Sequence, residues 1–543
     1  MRIVIIGSVA AGSSVAAKAR RNSIENEIVI YEKDSDISYS VCGLPYYIGE
    51  EYIEREDIVP RNPEWFKKRF DIEIKTGHEV KKVDSVNKKI EILNIAENRI
   101  FIDYYDVLVF ATGAKPVIPD KEWIKNPNVF SLRNVKSAEK IKEYIEVNNP
   151  KTAVIVGSGF IGLEMAENLT KLGIKVSIIE NREQIMSSLD IEMAGYVEKE
   201  ILRNGVAVFK GESLEKLENN RVFTESGKVI EADIVILAAG VKPETELAAK
   251  AGVKIGEKGG IIVSDEMRTS VEGVFAVGDC VETFSAIDGK RLYRPMGSTA
   301  NKMGRVAGDV ITGGNLKFRG VLGTGIVKVF ELTCGHTGYG EKEAVESGYN
   351  VETIHNIKPN QTEYFEGSSE MVIKCVADRK TGRVLGVQIV GKKGVDKRVD
   401  VFATAITFGA KVEDLFHLDL AYAPPFSTTK DPVMYTGMIL ENALKRGRKI
   451  ITPKELIEKR DKFIVIDVRN KKDFENGHIE NAVNVPLEKL KEYAEKLDKS
   501  KKYVVHCNKG VTGNAAQNLL INMGFENVYN LSGGYKNYKN CCN

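Results

Sequence analysis

The chain has 543 residues, of which 43% are hydrophobic and 28% are charged, a balance typical of a globular protein. At roughly 150 residues per domain, this length predicts three to four domains. The 78 Lys and Arg residues nearly balance the 76 Asp and Glu residues, and the net charge of +2 gives no electrostatic reason to expect a nucleic-acid or anionic-membrane partner.

The composition also bears on location and on the cysteines. No stretch approaches the roughly 18 apolar residues of a membrane span, and the sequence opens on a strand pattern rather than a signal peptide, so we expect a cytoplasmic protein. Seven scattered cysteines are too few for a secreted disulfide framework, and an important cysteine is therefore expected to be reactive. With six histidines and no Cys/His cluster, we predict no metal site.

The strongest pattern along the chain is a repeat of strand, glycine-rich turn, helix and acid-terminated strand. Its parts are the strands 2–7 and 152–157, the helices 13–21 and 163–172, and the second strands 28–32 and 176–180. Two further strands end in glycine turns at matching places, 107–113 and 234–240. The pattern predicts two dinucleotide-binding βαβ units built on the same plan.

After the repeat the pattern changes twice. The strand at 274–279 is predicted to return the chain to the first domain after insertion of the second. From 326 to 444, mixed strands and a helix near 395–408 indicate a third, α+β domain. A basic connector over 445–452 leads to strands that alternate with helices, which predicts a small α/β domain over 453–543.

The second unit carries the sharper nucleotide motif. Its turn fits G-x-G-x-x-G between a strand and a helix, which suits close approach of a pyrophosphate to backbone amides. Glu180 ends the next strand, where a carboxylate binds both ribose hydroxyls and disfavours a 2′-phosphate, so NADH is preferred to NADPH. Arg182 leaves tolerance of that phosphate open, and a turn used only for packing is the alternative. The predicted binding residues are Gly157, Gly159, Phe160, Ile161, Gly162, Glu180 and Gly240.

The first unit has a weaker version of the motif, with Val9 where the second glycine would stand. Its position, the turn at Thr112-Gly113 and the acid of Gly278-Asp279 after the late strand together favour FAD, although Asp279 as a helix cap is the alternative. The predicted FAD-binding residues are Gly7, Val9, Ala10, Gly12, Glu32, Lys33, Thr112, Gly113, Gly278 and Asp279.

Residues 38–47, SYSVCGLPYY, carry the first candidate nucleophile, Cys42. With the two nucleotide units, this segment resembles the single-cysteine branch of the FAD- and NAD(P)H-dependent disulfide reductases, the coenzyme A-disulfide reductases, over about residues 1–440. Tyr47 stands where relatives with C-x-x-x-x-C have a second cysteine. One sulfur cannot close an internal disulfide, so its oxidised form is expected to be a mixed disulfide, a persulfide or a sulfenic acid. A helix beginning near Pro45 would stabilise the thiolate, and a buried spectator thiol is the alternative.

The resemblance implies a homodimer in which tyrosines of the third domain reach the partner's active site. The matching residues are Tyr364 and Tyr422, for which ordinary packing is the alternative. Related NADH oxidases and peroxidases carry a histidine in the first glycine turn, but this chain has Ala10, which argues against peroxide as the main oxidant. The residues that match coenzyme A contacts are Ser14, Lys18, Arg21, Ser38 and Lys430, with surface solvation as the alternative for each.

Residues 453–540 resemble a rhodanese domain, with Cys507 in a tight loop before a helix predicted at 514–523. Amides of residues 508–513 can hold an anionic thiolate or persulfide. Thr512 and Gly513 replace the usual Arg-Ser, so the loop lacks a cation. An inactive, purely structural domain is the alternative.

Together these motifs predict an α/β chain with four domains. They are a discontinuous FAD-binding domain (1–149 and 245–325), an NADH-binding domain (150–244), a dimerisation domain (326–444), a linker (445–452) and a rhodanese domain (453–543). The resemblance implies that NADH reduces FAD and that Cys42 then reduces coenzyme A disulfide, coenzyme A persulfide or polysulfide, while Cys507 carries sulfane sulfur. A sulfur-relay carrier that delivers persulfide to partner proteins and an NADH oxidase are the alternatives.

Overall fold

The computed structural model describes residues 1–541, and Cys542 lies outside this part of the chain. By internal contacts these residues form two units: unit 1 comprises residues 1–183 and 205–323, and unit 2 comprises residues 184–204 and the described residues from 324 to 541. No helix within residues 1–541 is long and apolar enough to cross a membrane.

The strands of unit 1, in chain order, are β1 (Arg2–Ile6), β2 (Glu27–Tyr31), β3 (Glu73–Lys75), β4 (His78–Asp84), β5 (Lys89–Asn94), β6 (Arg99–Tyr104), β7 (Val107–Phe110), β8 (Ala114–Pro116), β9 (Val129–Phe130), β10 (Thr152–Val156), β11 (Lys175–Glu180), β12 (Ala207–Lys210), β13 (Leu214–Glu218), β14 (Arg221–Thr224), β15 (Val229–Glu231), β16 (Ile234–Leu237), β17 (Val241–Pro243), β18 (Ile261–Ile262), β19 (Val274–Ala276), β20 (Val281–Phe284) and β21 (Arg291–Leu292). The strands of unit 2 are β22 (Gly325–Val329), β23 (Leu332–Gly338), β24 (Val351–Pro359), β25 (Glu370–Asp378), β26 (Val384–Gly391), β27 (Ile450–Ile451), β28 (Ile464–Asp467), β29 (Val483–Asn484), β30 (Tyr503–His506) and β31 (Val528–Leu531).

The helices are α1 (Ala10–Asn22), α2 (Leu44–Gly49), α3 (Arg55–Ile58), α4 (Pro63–Phe70), α5 (Val135–Asn148), α6 (Phe160–Lys171), α7 (Ile191–Arg203), α8 (Glu246–Lys250), α9 (Gly297–Ile311), α10 (Glu341–Glu346), α11 (Val395–Thr407), α12 (Pro432–Lys445), α13 (Pro453–Glu458), α14 (Lys471–Glu475), α15 (Leu487–Ala494), α16 (Val511–Asn522) and α17 (Gly534–Cys541). Of these, α7 and α10 to α17 belong to unit 2.

Unit 1 contains the two predicted nucleotide-binding sheets. One is a parallel sheet in the order β19-β7-β1-β2-β3, and the other is a parallel sheet in the order β12-β11-β10-β16-β9. The strand at 274–276 pairs with β7 in register Val274 to Leu108, so the predicted return of the chain to the first sheet is confirmed. The strands are apolar on both faces because helices such as α1 and α6 cover them.

Both glycine turns bring a helix unusually close to a strand. A Cβ at Gly12 would lie 1.9 Å from Gly7 O, and one at Gly162 would lie 2.1 Å from Gly157 O. The helices begin at Ala10 and Phe160 rather than at the predicted 13 and 163, because the turn ends as soon as the chain leaves the strand. The last glycine of each motif therefore belongs to the helix and lets it pack on the turn.

Unit 2 has two sheets. The first is antiparallel in the order β22-β23-β26-β25-β24, with α11 and α12 packed on it, and the second is parallel in the order β27-β31-β30-β28-β29. The predicted α+β domain and the final α/β domain are thus both present. The predicted connector spans residues 445–452, but it ends earlier in the structure. Its residues Ile450–Ile451 form β27, which pairs with β31.

A buried ammonium group joins α7 to the antiparallel sheet. Lys374 is only 1% exposed and lies 2.9 Å from Asp190 Oδ2 and 2.7 Å from Glu341 Oε2, and it also pairs with Glu192. These three acids have the spacing of metal ligands, but the Lys374 ammonium lies among their oxygens. An unpaired charge is costly at a buried position. The ion pairs of Lys374 with Asp190 and Glu192 therefore hold α7 on the antiparallel sheet.

The close approach at Gly162 gives a direct test of the turn. Gly162→Ala is expected to lower the free energy of unfolding by about 1–3 kcal/mol, because its Cβ overlaps a carbonyl oxygen that belongs to rigid backbone. Gly159→Ala is the matched control, since nothing lies within 4 Å of its added Cβ. Denaturant unfolding of the two variants compares them, and equal stability would contradict the packing argument.

Candidate nucleotide and sulfur sites

The two predicted acids that follow the second strands are held in the same way. Glu32 Oε2 accepts hydrogen bonds from the backbone N–H and the hydroxyl of Ser8, both at 2.9 Å. Glu180 Oε2 accepts them from Ser158 at 3.0 and 2.5 Å. Each carboxylate is thereby fixed beside its glycine turn, at the helix N-terminus where a dinucleotide's pyrophosphate and ribose bind. The arrangement fits a dinucleotide at both places.

The remaining predicted FAD residues gather at the ends of the same sheet. Gly113 has φ +71° and accepts a hydrogen bond from Glu244 N, while Gly278 has φ +80° and would place a Cβ 2.8 Å from that of Ala11. Asp279 follows in a short turn, and burial raises the pKa of its carboxyl while Arg133 lowers it. Arg133 has no local motif, and sequence reasoning missed it.

Other residues of this group have simpler placements. Val9 is the residue before α1, Lys33 is exposed, and Thr112 Oγ1 donates to Glu244 O at 2.6 Å. Gly240 takes φ +99°, the conformation that its turn requires. Phe160 and Ile161 open α6, so their amides lie at its N-terminus.

Cys42 lies on a short turn directly before α2, whose first turn contains Pro45 as predicted. The residue is exposed, whereas Cys280, Cys334 and Cys375 are buried. The pKa of its thiol is raised, first by burial against neighbouring groups and then by the carboxylates of Glu164 and Asp279. The helix N-terminus therefore does not by itself give the lowered pKa that the sequence suggested.

Glu164 is a candidate functional residue that the motifs missed. It lies in the first turns of α6, and the Tyr46 hydroxyl donates to its Oε1 at 3.2 Å. Burial raises the pKa of this carboxyl to about 7, so it changes charge near neutral pH close to the Cys42 thiol. No local pattern marks it, because it comes from a helix more than 100 residues away in the chain.

A cavity of about 510 Å³ lies in unit 1 between α1, α4 and α9. Three of the predicted coenzyme A residues line it, namely Ser14, Arg21 and Ser38. Two further arginines and a cluster of aromatic side chains that the sequence did not single out also line it: Arg61, Arg305, Trp65, Phe66 and Phe70. Guanidinium groups beside aromatic rings suit a ligand with phosphates and a planar base.

Two predicted coenzyme A residues are not part of this cavity lining. Lys18 forms an ion pair of 2.9 Å with Asp309. Lys430 belongs to unit 2, where its Nζ lies 5.9 Å from the ring centroid of Tyr435. Their predicted role remains a hypothesis.

The two tyrosine segments of unit 2 lie against one another. Thr362 N donates to Pro424 O at 3.3 Å, and Thr362 Oγ1 donates to Ser427 O at 3.3 Å. Tyr364 is 78% exposed and Tyr422 is 47% exposed, so neither is a core residue. Phe365 and Phe426 are exposed beside them in the same segments.

A buried arginine holds these segments in place. Arg398 is 1% exposed and pairs with Asp431 at 2.8 Å, and it also donates to Asn360 O, Phe426 O and Ser427 Oγ. One guanidinium thus binds backbone on both tyrosine segments. Sequence reasoning did not find Arg398, because its helix carries no signal beyond amphipathicity.

Cys507 lies at the end of β30, at the base of a tight loop. Its Sγ accepts a hydrogen bond of 3.2 Å from Gly510 N, and the side chain is 7% exposed. Gly510 has φ +97°, and α16 begins directly after it at Val511 rather than at the predicted 514. The loop is shorter than expected because this glycine reverses the chain at once, so Thr512 and Gly513 lie in the first turn of the helix.

Neighbouring residues hold the Cys507 loop in place. Tyr535 N donates to Cys507 O at 2.9 Å, and a Cβ at Gly513 would lie 2.4 Å from Asn530 Oδ1. His506 is fully buried, and this burial lowers the pKa of its imidazole to about 4. The nearby Arg469 is bound by Asp467 at 2.6 Å.

Comparisons with known proteins identify three families along the chain. The family model described as pyridine nucleotide-disulphide oxidoreductase matches residues 1–302, its dimerisation domain matches residues 324–432, and a rhodanese-like domain matches residues 452–541. A protein of Pyrococcus furiosus named NAD(P)H sulfur oxidoreductase (CoA-dependent) is 39% identical over 450 residues, which are 81% of this chain and 99% of that protein.

Two solved structures are similar over nearly the full length. One is the reduced CoADR-RHD of Bacillus anthracis, with a TM-score of 0.97, 36% identity and coverage of 99% of this chain and 98% of that chain. The other is an NAD-dependent persulfide reductase from A. fulgidus, with a TM-score of 0.92, 36% identity and coverage of 99% and 100%.

The Glu164 carboxylate gives a testable effect on Cys42. Glu164→Gln removes a negative charge that disfavours the thiolate, so the midpoint of Cys42 alkylation is expected to move to lower pH. Iodoacetamide labelling followed across pH by peptide mass spectrometry measures this midpoint. Glu143→Gln, an exposed carboxylate on α5, is the control. An unchanged midpoint in Glu164→Gln would show that the two groups do not interact.

Proposed function

Since the chain belongs to the pyridine nucleotide-disulphide oxidoreductase family and ends in a rhodanese-like domain, we propose that it is an FAD-dependent NADH reductase of coenzyme A-linked sulfur. The observation that carries the proposal is the single exposed thiol of Cys42 in the same unit as two fitted dinucleotide sites. Names of similar proteins include NAD(P)H coenzyme A polysulfide/persulfide reductase and coenzyme A disulfide reductase. The proposed substrates are accordingly coenzyme A persulfide, coenzyme A disulfide and polysulfide.

The proposed cofactors are inferred from the carboxylates of Glu32 and Glu180, each of which is held beside a glycine turn. FAD, when bound along Gly7, Glu32 and Asp279, supplies two-electron transfer between the nicotinamide and sulfur. Glu180 would bind the ribose hydroxyls of NADH and repel the 2′-phosphate of NADPH. Arg182 is exposed two residues later, with its backbone N–H donating to Glu180 Oε1, so some use of NADPH is compatible with the site.

The proposed reaction at Cys42 is thiol-disulfide exchange. Its thiolate attacks the coenzyme A sulfur of the persulfide, the S–S bond breaks, and hydrosulfide leaves with a mixed disulfide formed on Cys42. Two electrons from NADH then split this disulfide into free coenzyme A thiolate and the Cys42 thiolate. The net change is NADH, a proton and persulfide going to NAD⁺, thiol and hydrogen sulfide. Tyr46 and Glu164 are the groups that hold a proton nearby.

Coenzyme A itself is proposed to bind in the cavity lined by Arg21, Arg61 and Arg305. Its phosphates suit the guanidinium groups, and its adenine suits the aromatic wall formed with Trp65. Arg61 already lies 5.0 Å from the Trp65 ring centroid. In this proposal the arginines bind the phosphates of the carrier, and the role of Lys18 stays a prediction.

We propose that the protein acts as a homodimer in the cytoplasm. The dimerisation-domain match supports the dimer, and the exposed aromatic side chains of Tyr364, Tyr422 and Phe426 supply an apolar surface for a second copy. By family resemblance, Tyr364 and Tyr422 would then donate protons to leaving thiolates in the partner's active site. The free thiols of the described residues suit a reducing compartment.

Cys42→Ser tests the reductase directly. We expect this variant to lose NADH oxidation with coenzyme A persulfide by at least about a thousandfold, because serine is not a nucleophile toward sulfur. FAD content should stay near one per chain, since Glu32 is held at its glycine turn by Ser8 and not by the thiol. Absorbance of bound flavin and anaerobic NADH consumption measure the two properties. Loss of flavin, or retained turnover, would contradict the proposal.

Cys507 is proposed to carry sulfane sulfur in a separate reaction, because its loop is complete without any residue of unit 1. Cys507→Ser should abolish sulfur transfer from a sulfane donor to thiols, while reduction of preformed coenzyme A persulfide stays within a few-fold of normal. Paired sulfurtransferase and reductase assays on this variant measure the outcome. A parallel loss of both activities would mean that sulfur passes through Cys507 first, as in a relay carrier.

A further inference from the structure

The first half of the Cys507 loop is held by backbone hydrogen bonds from the start of α17. Tyr535 N donates to Cys507 O at 2.9 Å, and Lys536 N donates to Asn508 O at 3.0 Å. The approach is close, since a Cβ at Gly534 would lie 2.5 Å from Cys507 O. The carbonyl groups of the first two loop residues are therefore fixed to this helix.

The next peptide group, between Lys509 and Gly510, carries the hydrogen bond to sulfur. Gly510 N donates to Cys507 Sγ at 3.2 Å. On the far side of the loop, Asn530 Nδ2 donates to Gly510 O at 3.0 Å. A hydrogen bond to the charged form stabilises a thiolate, and a persulfide anion in the same way. The orientation of the Lys509–Gly510 peptide therefore decides how well the loop binds its anion.

One carboxylate of the antiparallel sheet binds a side chain from each part of this frame. Glu370 is the first residue of β25, and its two oxygens pair with the ammonium groups of Lys509, in the loop, and Lys536, in α17. Burial alone would raise the pKa of the Glu370 carboxyl, but its hydrogen bonds to the two lysines outweigh burial and lower it. The carboxylate is therefore ionised, and the three groups together have an excess of one positive charge.

A second contact joins the same frame to the neighbouring strand. β24 is the edge strand of the antiparallel sheet, and its His355 N donates to Ser532 Oγ at 2.5 Å. Edge strands leave backbone N–H groups for such partners. Ser532 lies three residues before Tyr535, whose N–H binds the loop. Because β24 and β25 pair with Pro359 opposite Glu370, the same strand pair makes both contacts.

We propose that Glu370 is a positioning residue for the Cys507 site: by binding Lys509 and Lys536 together, it fixes the Lys509–Gly510 peptide so that the Gly510 N–H stays directed at the sulfur. The inference rests on the proposed role of Cys507 in sulfur transfer. It extends that role by making the site dependent on two domains, because Glu370 lies in the dimerisation-domain match, 324–432, and the loop lies in the rhodanese-like match, 452–541.

The test removes the two ion pairs from the full-length protein without changing its net charge. Glu370→Gln combined with Lys509→Met removes one negative and one positive charge, so the excess positive charge stays, on Lys536. The midpoint pH of Cys507 alkylation by iodoacetamide is expected to rise by about one unit, because the thiolate loses a directed N–H. Peptide mass spectrometry measures this midpoint, and hydrogen–deuterium exchange of residues 507–511 should become faster.

Three further variants separate position from charge. Glu370→Gln combined with Lys536→Met keeps the same net charge on Lys509 instead, and it should also raise the midpoint. Exchanging the charges, Glu370→Lys with Lys509→Glu, forms the ion pair again in reverse and should return the midpoint and the exchange rate close to their original values. Glu413→Gln with Lys445→Met removes another ion pair of unit 2, of 2.8 Å, and should leave both unchanged.

Unchanged alkylation and exchange in the folded Glu370→Gln, Lys509→Met protein would overturn the proposal. So would midpoints that move in opposite directions in the two variants of equal charge, since the distance of each lysine from the sulfur would then explain the result. A shift that the charge exchange does not reverse would also contradict it. If alkylation and exchange change as expected but the unmodified protein transfers no sulfur, the positioning role of Glu370 stands and the proposed function of Cys507 fails.

Discussion

The lone sulfur of Cys42 is the constraint from which the proposed chemistry follows. Tyr47 occupies the position where a second cysteine would close an internal disulfide, and the other cysteine described in unit 1, Cys280, is buried with its Sγ directed at backbone carbonyls. Electrons that reach Cys42 must therefore leave on an acceptor outside the chain, and the proposed acceptor is a sulfur atom of the substrate. The exposed position of the thiol before α2 suits attack on such a substrate, and the carboxylates around it make its charge depend on their protonation.

The nucleotide sites depend on backbone contacts rather than on side-chain chemistry. Each helix can approach its strand only because Gly12 and Gly162 lack a Cβ, and each acid is fixed by the serine that follows the first glycine. The same geometry appears twice because the same strand, turn and helix pattern appears twice. Unit 2 depends on buried ion pairs instead. Arg398 holds the two tyrosine segments, and Lys374 holds α7 on the antiparallel sheet.

The parts that the sequence predicted are those with local signatures. Glycine spacing and apolar runs predicted both parallel sheets, and the resemblance of residues 453–540 to a rhodanese domain predicted the Cys507 loop. The helix starts were misplaced by three residues, because the glycine turns are tighter than their sequence suggests. Glu164 and Arg305 could not be predicted, since each reaches the Cys42 thiol or the cavity from an element distant in the chain and has no motif of its own.

The most direct measurement is the stoichiometry of anaerobic turnover with coenzyme A persulfide on protein of known FAD content. The account predicts that each NADH oxidised releases one hydrogen sulfide and one coenzyme A thiol, with no need for a partner protein. Oxygen consumption that exceeds sulfide release in air, together with no anaerobic NADH oxidation, would contradict it and indicate an NADH oxidase.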